Sequence, residues 1–326
     1  MADHEWLTPI VEVIPGSEAA FVPEQMGKSW RSERPYFIDG LFLDDEDWPD
    51  DDAEEHPIFE CFQEVASRQQ AAIPITGTGR SEAYQEAVAT IARDQGRGCG
   101  LRLVRDDFDD EDELEAIVAA LLERVGLDAP SVDVFIDLGS VAGERSAAVT
   151  SIMRATLDLV PRVSEWRTLT VLSGAFPLGL GPLVSGTWNA ADRSDWGGWR
   201  RVVSRPDRVP RLPSYGDYGI GHPDLPPTGR ATILAQLRYS IDTQFMIWKG
   251  GNVFKQAQGY GQFLAICRNL IRQQWYDGRT FSAADAEIYE KATVGGSPGN
   301  AETWRRIGLN HHLEKVRAQL ASLPVP

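Results

Sequence analysis

Through its first two thirds the chain repeats one phrase: a short apolar run, a few turn residues, then a longer stretch with apolar residues every three or four positions. The apolar runs fall at residues 9–14, 36–42, 71–76, 100–105, 132–138 and 168–173. Most are near-continuous rather than alternating, as expected of parallel strands covered on both faces. A weaker seventh run, 214–218, contains a glycine, which costs strand propensity. The intervening stretches predict helices over 58–70, 81–93, 112–125 and 147–160. Pro57 suits the first position of one, and Ser81 caps the next. The third presents Leu114, Ile117, Val118, Leu121 and Leu122 as one stripe behind an acidic first turn, and Gly126 stands where it should stop. Alternation at this spacing implies crossover connections and a parallel sheet. With seven such strands and no early glycine-rich nucleotide fingerprint, a (β/α) barrel-like sheet fits better than an open one.

After Leu178 the pattern changes. Residues 178–212 are rich in glycine, tryptophan and arginine and read as an irregular excursion with short helices. Residues 237–241 and 245–249 read as a β-hairpin, followed by helices over 261–275 and 301–320 with a glycine-rich loop between them. No repeat of solenoid period and no long low-complexity linker divides the chain, so residues 1–326 are taken as one α/β domain with a hairpin and helices over 237–326.

Composition narrows the class. Of the 326 residues 42% are hydrophobic and 25% charged, an ordinary globular balance. The amino terminus is acidic and proline-broken, unlike a signal peptide, and no run approaches the ~20 apolar residues of a membrane span; a cytoplasmic protein is expected. Cys61, Cys99 and Cys267 are far apart and odd in number, which predicts buried free thiols. The formal charge of −16, from 48 acids against 32 bases, disfavours binding to duplex nucleic acid. The acidic run 44–55 reads as a solvated loop, while Arg200, Arg201, Arg205, Arg208 and Arg211 form a local basic patch.

Five phrases, in order and spread over nearly the whole chain, carry a resemblance: TPIVEVIP (8–15), SERPYFID (32–39), YGDYGI (215–220), LRYSI (237–241) with MIWKGG (246–251), and GNAETWRRIGLNHHLEKV (299–316). Together they resemble the phage beta-protein family, a largely uncharacterised group found in phages and bacterial genomes. The resemblance implies an α/β fold and brings no catalytic residues to carry over. Family members usually open with a further short strand before the phrase matching TPIVEVIP. If that strand is a stave, the barrel here is incomplete at its amino end. An open parallel edge invites pairing, so a protein partner or a homo-oligomer is expected.

In a barrel of this kind chemistry sits at the carboxyl ends of the strands. Those ends carry Glu12, Asp39, Thr76, Arg105, Asp137, Ser173 and Asp217, with Lys249 closing the hairpin. Glu12, Asp39, Asp137 and Asp217 on one rim would suit a Mg2+-dependent phosphoryl site, with Arg105 or Lys249 neutralising phosphate charge. Strand-end charges more often cap helices or pair with one another. Gly77 and Thr78 open a GTGRS turn that leads a strand into a helix, a geometry that can hold an anion. Tyr215 and Tyr218 lie in a glycine-rich segment able to approach a ligand. His311 and His312, adjacent on the last helix, read as seating that helix rather than binding zinc. Two functions fit the sequence: an interaction or regulatory protein of phage–host conflict, and alternatively a metal-dependent hydrolase of a phosphoester or nucleotide.

Overall fold

A computed structural model describes residues 6–14, 16–44, 55–224 and 233–323. Its strands are β1 (Ile10–Glu12), β2 (Tyr36–Asp39), β3 (Ala72–Gly77), β4 (Cys99–Val104), β5 (Val132–Ser140), β6 (Thr168–Gly174), β7 (Trp188–Asp192), β8 (Ser214–Asp217), β9 (Leu234–Ser240) and β10 (Gln244–Asn252). The helices are α1 (Phe21–Ser29), α2 (Pro57–Ser67), α3 (Glu82–Gln95), α4 (Glu111–Val125), α5 (Ser146–Asp158), α6 (Ser194–Val203), α7 (Gln262–Leu270), α8 (Ala283–Thr293) and α9 (Ala301–Ala321). All seven apolar runs of the parallel pattern become strands of one sheet, in the order β1-β2-β3-β4-β5-β6-β8. The pairings from β1 to β5 are parallel. The fold is therefore α/β and barrel-like with the barrel incomplete, β1 and β8 standing at the two ends of the sheet.

The chain divides into two compact units. The first comprises residues 1–137, 154–171 and 205–215; the second comprises 138–153, 172–204 and 216–326. In the first, β2, β3 and the opening of β5 are wholly buried. That burial explains their unbroken apolar spelling. Phe37 on β2 meets Phe135 on β5 edge to face, ring centroids 4.9 Å apart. Gly100 makes room for that layer, because a Cβ there would lie 2.8 Å from Ile75 Cγ1 and 2.9 Å from Phe135 Cε2. The covering helices have the ends their sequences announce: Ser81 accepts from the Tyr84 N–H, Asp110 accepts from the Glu113 N–H, and Gly126 closes α4 at φ 67°.

The second unit contains the hairpin β9–β10, extended to three antiparallel strands by β7. β7 and α6 arise inside the segment 178–212, where WNAAD lacks a legible alternation; pairing with β10 makes it a strand. The predicted helix over 261–275 stops at Leu270, and α8, capped by Ser282 on the Asp285 N–H, fills part of the interval before α9. Leu237, Tyr239, Phe263, Ile288, Trp304 and Ile307 form the core between this sheet and its helices, with the Phe263 and Trp304 rings stacked at 4.3 Å. All three cysteines are free and buried, and burial pushes each thiol up to about 12. Among the described residues no helix is long and apolar enough to cross a membrane.

Candidate functional site

Register decides which strand-end side chains meet. Glu12 is paired with Asp39 across β1 and β2, Gly77 with Arg102 across β3 and β4, and Phe135 with Arg102 across β4 and β5. Side chains of paired residues share a face, and so do residues two apart. Glu12, Asp39, Arg102 and Asp137 thus fall on the face that carries Phe37 and Phe135 one layer below.

There they meet. Arg102 Nη1 donates to Glu12 Oε1 and Asp39 Oδ2, each at 2.7 Å, while Nε and Nη2 donate to Asp137 Oδ2 at 2.9 and 2.5 Å. A second guanidinium, Arg80 Nη2, donates to the other Asp39 oxygen at 2.9 Å. Asp39 is fully buried and Asp137 and Arg102 nearly so; Glu12, with 22% of its side chain exposed, is the member that faces solvent. Buried carboxylates need such partners, since isolated charges in the interior are costly.

Glycine and tyrosine complete the floor. A Cβ at Gly77 would lie 2.9 Å from the Arg102 carbonyl oxygen, so the β3 end must be bare for the strands to close up. Tyr84 donates to the Ile75 carbonyl at 2.8 Å and accepts from the Gly40 N–H at 3.0 Å. Burial, reinforced by the Asp39 charge, pushes its phenol well above the ordinary value and keeps it a donor. The amino end of α3 already holds an anion from the chain itself. Asp44 accepts from the Ser81 N–H at 2.7 Å and the Ser81 hydroxyl at 2.5 Å, and His56 Nε2 stands 3.6 Å away. Burial pulls His56 below its usual value, partly countered by Asp44, and its Nδ1 accepts from the Ile58 N–H to cap α2.

Arg105 opens a 3-10 turn and is exposed; the cation among the carboxylates is Arg102, three residues earlier. Thr78 donates its hydroxyl to Asp107. Lys249 donates to the carbonyls of Gly181 and Leu183 at 2.9 and 2.8 Å. Tyr215 and Tyr218 are half-buried on either side of Asp217. In the second unit Asp217 accepts from His312 Nε2 at 2.9 Å, and His312 Nδ1 meets the Ser240 hydroxyl at 2.7 Å. Burial works to raise the Asp217 carboxyl, and the His312 ring, the Arg193 charge and the Gly219 N–H overcome it and hold it at about 2. Burial pulls His312 below its ordinary value despite Asp217. The pair is thus a carboxylate and a neutral imidazole whose Nε2 carries the proton.

His311 continues the network, with Nδ1 2.9 Å from Asp285 Oδ2 and Nε2 2.8 Å from the Ser240 carbonyl. Asp285 also accepts from Tyr239 at 2.8 Å and Ser282 at 2.5 Å. Both histidines and Ser240 are fully buried. The Ser240–His312–Asp217 sequence therefore acts as a hydrogen-bonded brace under α9, without access for a substrate.

These residues do not fit a divalent metal. Among the described residues no group of three or more His, Cys, Asp or Glu is arranged to hold one. The place between Glu12, Asp39 and Asp137 that a hard cation would take is filled by the Arg102 guanidinium.

Comparison with known proteins gives a family and little beyond it. The sequence profile of the family described as Beta protein matches residues 1–318. Among curated proteins none matches. Among solved structures, triosephosphate isomerase from Bartonella henselae is similar over 65% of this chain and 93% of its own, at 11% identity and a TM-score of 0.29, a likeness too slight to argue from.

Proposed function

We propose that this chain, which belongs to the beta-protein family, is an interaction or regulatory protein of phage–host conflict that acts through a protein partner or a second copy of itself. The observation that carries the reading is the Arg102 hub: the rim carboxylates best placed for catalysis, Glu12, Asp39 and Asp137, are committed to a guanidinium the chain supplies itself. Carboxylate oxygens that already accept from the chain's own guanidiniums are occupied as metal ligands and as bases. The acidic surface implied by the formal charge of −16 steers association toward basic partners and away from nucleic acid.

The test is capture of the tagged full chain from its own host, with and without phage infection, alongside Mg2+-dependent hydrolysis of generic phosphoesters by the purified protein. Co-purification of one stoichiometric protein, or a defined homo-oligomer, supports the reading. A monomer in both states that hydrolyses phosphoesters only with Mg2+, and loses that activity on Asp39→Asn, establishes the hydrolase in its place.

A further inference from the structure

The face of α9 that carries His312 also carries Arg305, Gly308 and Leu309, because these positions recur at the three- and four-residue spacing of one helical face. Gly308 has no room for a side chain: a Cβ there would lie 2.7 Å from Ile220 Cδ1 and 3.0 Å from the Arg238 carbonyl oxygen. Leu309 reaches Gly219, where a Cβ would lie 2.9 Å from its Cδ1. Close packing at these two points sets α9 directly against β9 and the turn after β8. Arg305, one turn before Gly308, is carried toward Arg238.

Arg238 is half-buried, with its guanidinium 4.4 Å from the centroid of the Phe176 ring. It donates from Nε and Nη2 to Gln236 Oε1 at 3.3 and 3.2 Å and from Nη1 to the Ile220 carbonyl. One N–H on each of three nitrogens is thus engaged, and two of the five remain. Every acceptor is neutral, and the neighbouring charge is positive. Burial, then the Arg305 charge, pull Arg238 well below the ordinary arginine value, to about 10. Among the described residues neither arginine forms an ion pair, in a chain with 48 acids. Gly308, one turn after Arg305, packs on the Arg238 backbone and Cβ, so the two positive charges face each other from adjoining elements without a counter-charge; such charges repel, and an anion between them reverses the sign of that interaction.

We propose that Arg238 and Arg305 form a binding site for a phosphate group, free or as a monoester, with Gln236 positioning the Arg238 fork. Phosphate is favoured over carboxylate because a dianion balances both guanidinium charges and a monoanion only one. The site stands apart from the partner-protein reading and survives or fails without it.

Thermal unfolding of the full chain, with chloride replaced by inorganic phosphate at constant ionic strength, tests the site. The midpoint should rise saturably with phosphate and much less with acetate. Arg305→Gln, on the exposed side of the pair, should weaken the apparent dissociation constant roughly tenfold, the effect of losing one charge-assisted contact. Arg93→Gln, an exposed arginine in the last turn of α3, should leave it unchanged. The Arg238 side-chain N–H resonances should shift with the same saturation curve. No saturable response in the wild type, equal constants for Arg305→Gln and wild type, or acetate acting as strongly as phosphate overturns the assignment.

Discussion

Replacing Arg102 by methionine removes the one group that three carboxylates share and keeps most of its length and apolar volume. In the folded protein Arg102 makes four N···O contacts of 2.9 Å or less to Glu12, Asp39 and Asp137. Asp39 then retains Arg80 alone as its guanidinium partner, at full burial. Removing one side of a buried ion pair leaves charge uncompensated and costs about 3–5 kcal/mol, a large share of a stability of about 5–15 kcal/mol. Urea unfolding followed by circular dichroism measures the loss, and hydrogen exchange should assign it to the amides of β1 to β5. The double variant Arg102→Met with Asp137→Leu should recover part of it, with a coupling of about 0.5–3 kcal/mol. An Arg102→Met protein within about 0.5 kcal/mol of wild type, or a double variant whose losses simply add, would refute the idea that this guanidinium holds the rim carboxylates.

Acid should loosen the second unit through two groups. The folded His312 binds its proton below 6.5, so the unfolded state takes up a proton first and stability falls as pH drops below about 6.5. His312→Gln should flatten that slope between about pH 7 and 5, and an unchanged slope would contradict the assignment of a neutral ring. Asp217 is depressed from 3.8 to about 2, worth roughly 2 kcal/mol that is complete above its unfolded value and lost as pH falls from about 4 to 2; Asp217→Asn should remove that acid limb from a pH series of urea midpoints. Gly100→Ala should cost about 1–3 kcal/mol through overpacking against Ile75 and Phe135, and a neutral result would mean the layer can shift. Ser81→Ala should cost about 1 kcal/mol by uncapping α3, read from the same denaturation curve.

Much of this arrangement is legible along the chain because buried parallel strands must be spelled in apolar residues throughout. The strand ends, and with them Glu12, Asp39 and Asp137, follow from that spelling. Arg102 does not. It sits inside an apolar run, and only the register of β4 against β3 and β5 shows that it shares a face with the carboxylates. Arg105, the more obvious cation at the strand's end, lies beyond the last paired residue. β7 is illegible for a related reason: its pairing with β10 joins residues distant in sequence, from Trp188↔Trp248 to Asp192↔Gln244. α8 has a readable cap in Ser282 but a weakly patterned body, AADAEIYEKAT, that declares its buried face only once Ile288 and Ala284 are packed. The network of Tyr239, Asp285 and His311 is assembled from three elements, and no local spacing announces it.

Crystals of the full chain grown with manganese, a hard divalent cation that favours carboxylates and scatters anomalously, address the rim directly. With Arg102 as the resident cation, the anomalous map should be empty among Glu12, Asp39 and Asp137, and the guanidinium should stay 2.7 Å from both Glu12 and Asp39. A peak within about 2.5 Å of two or more of those carboxylates, with the arginine swung aside, would contradict the account.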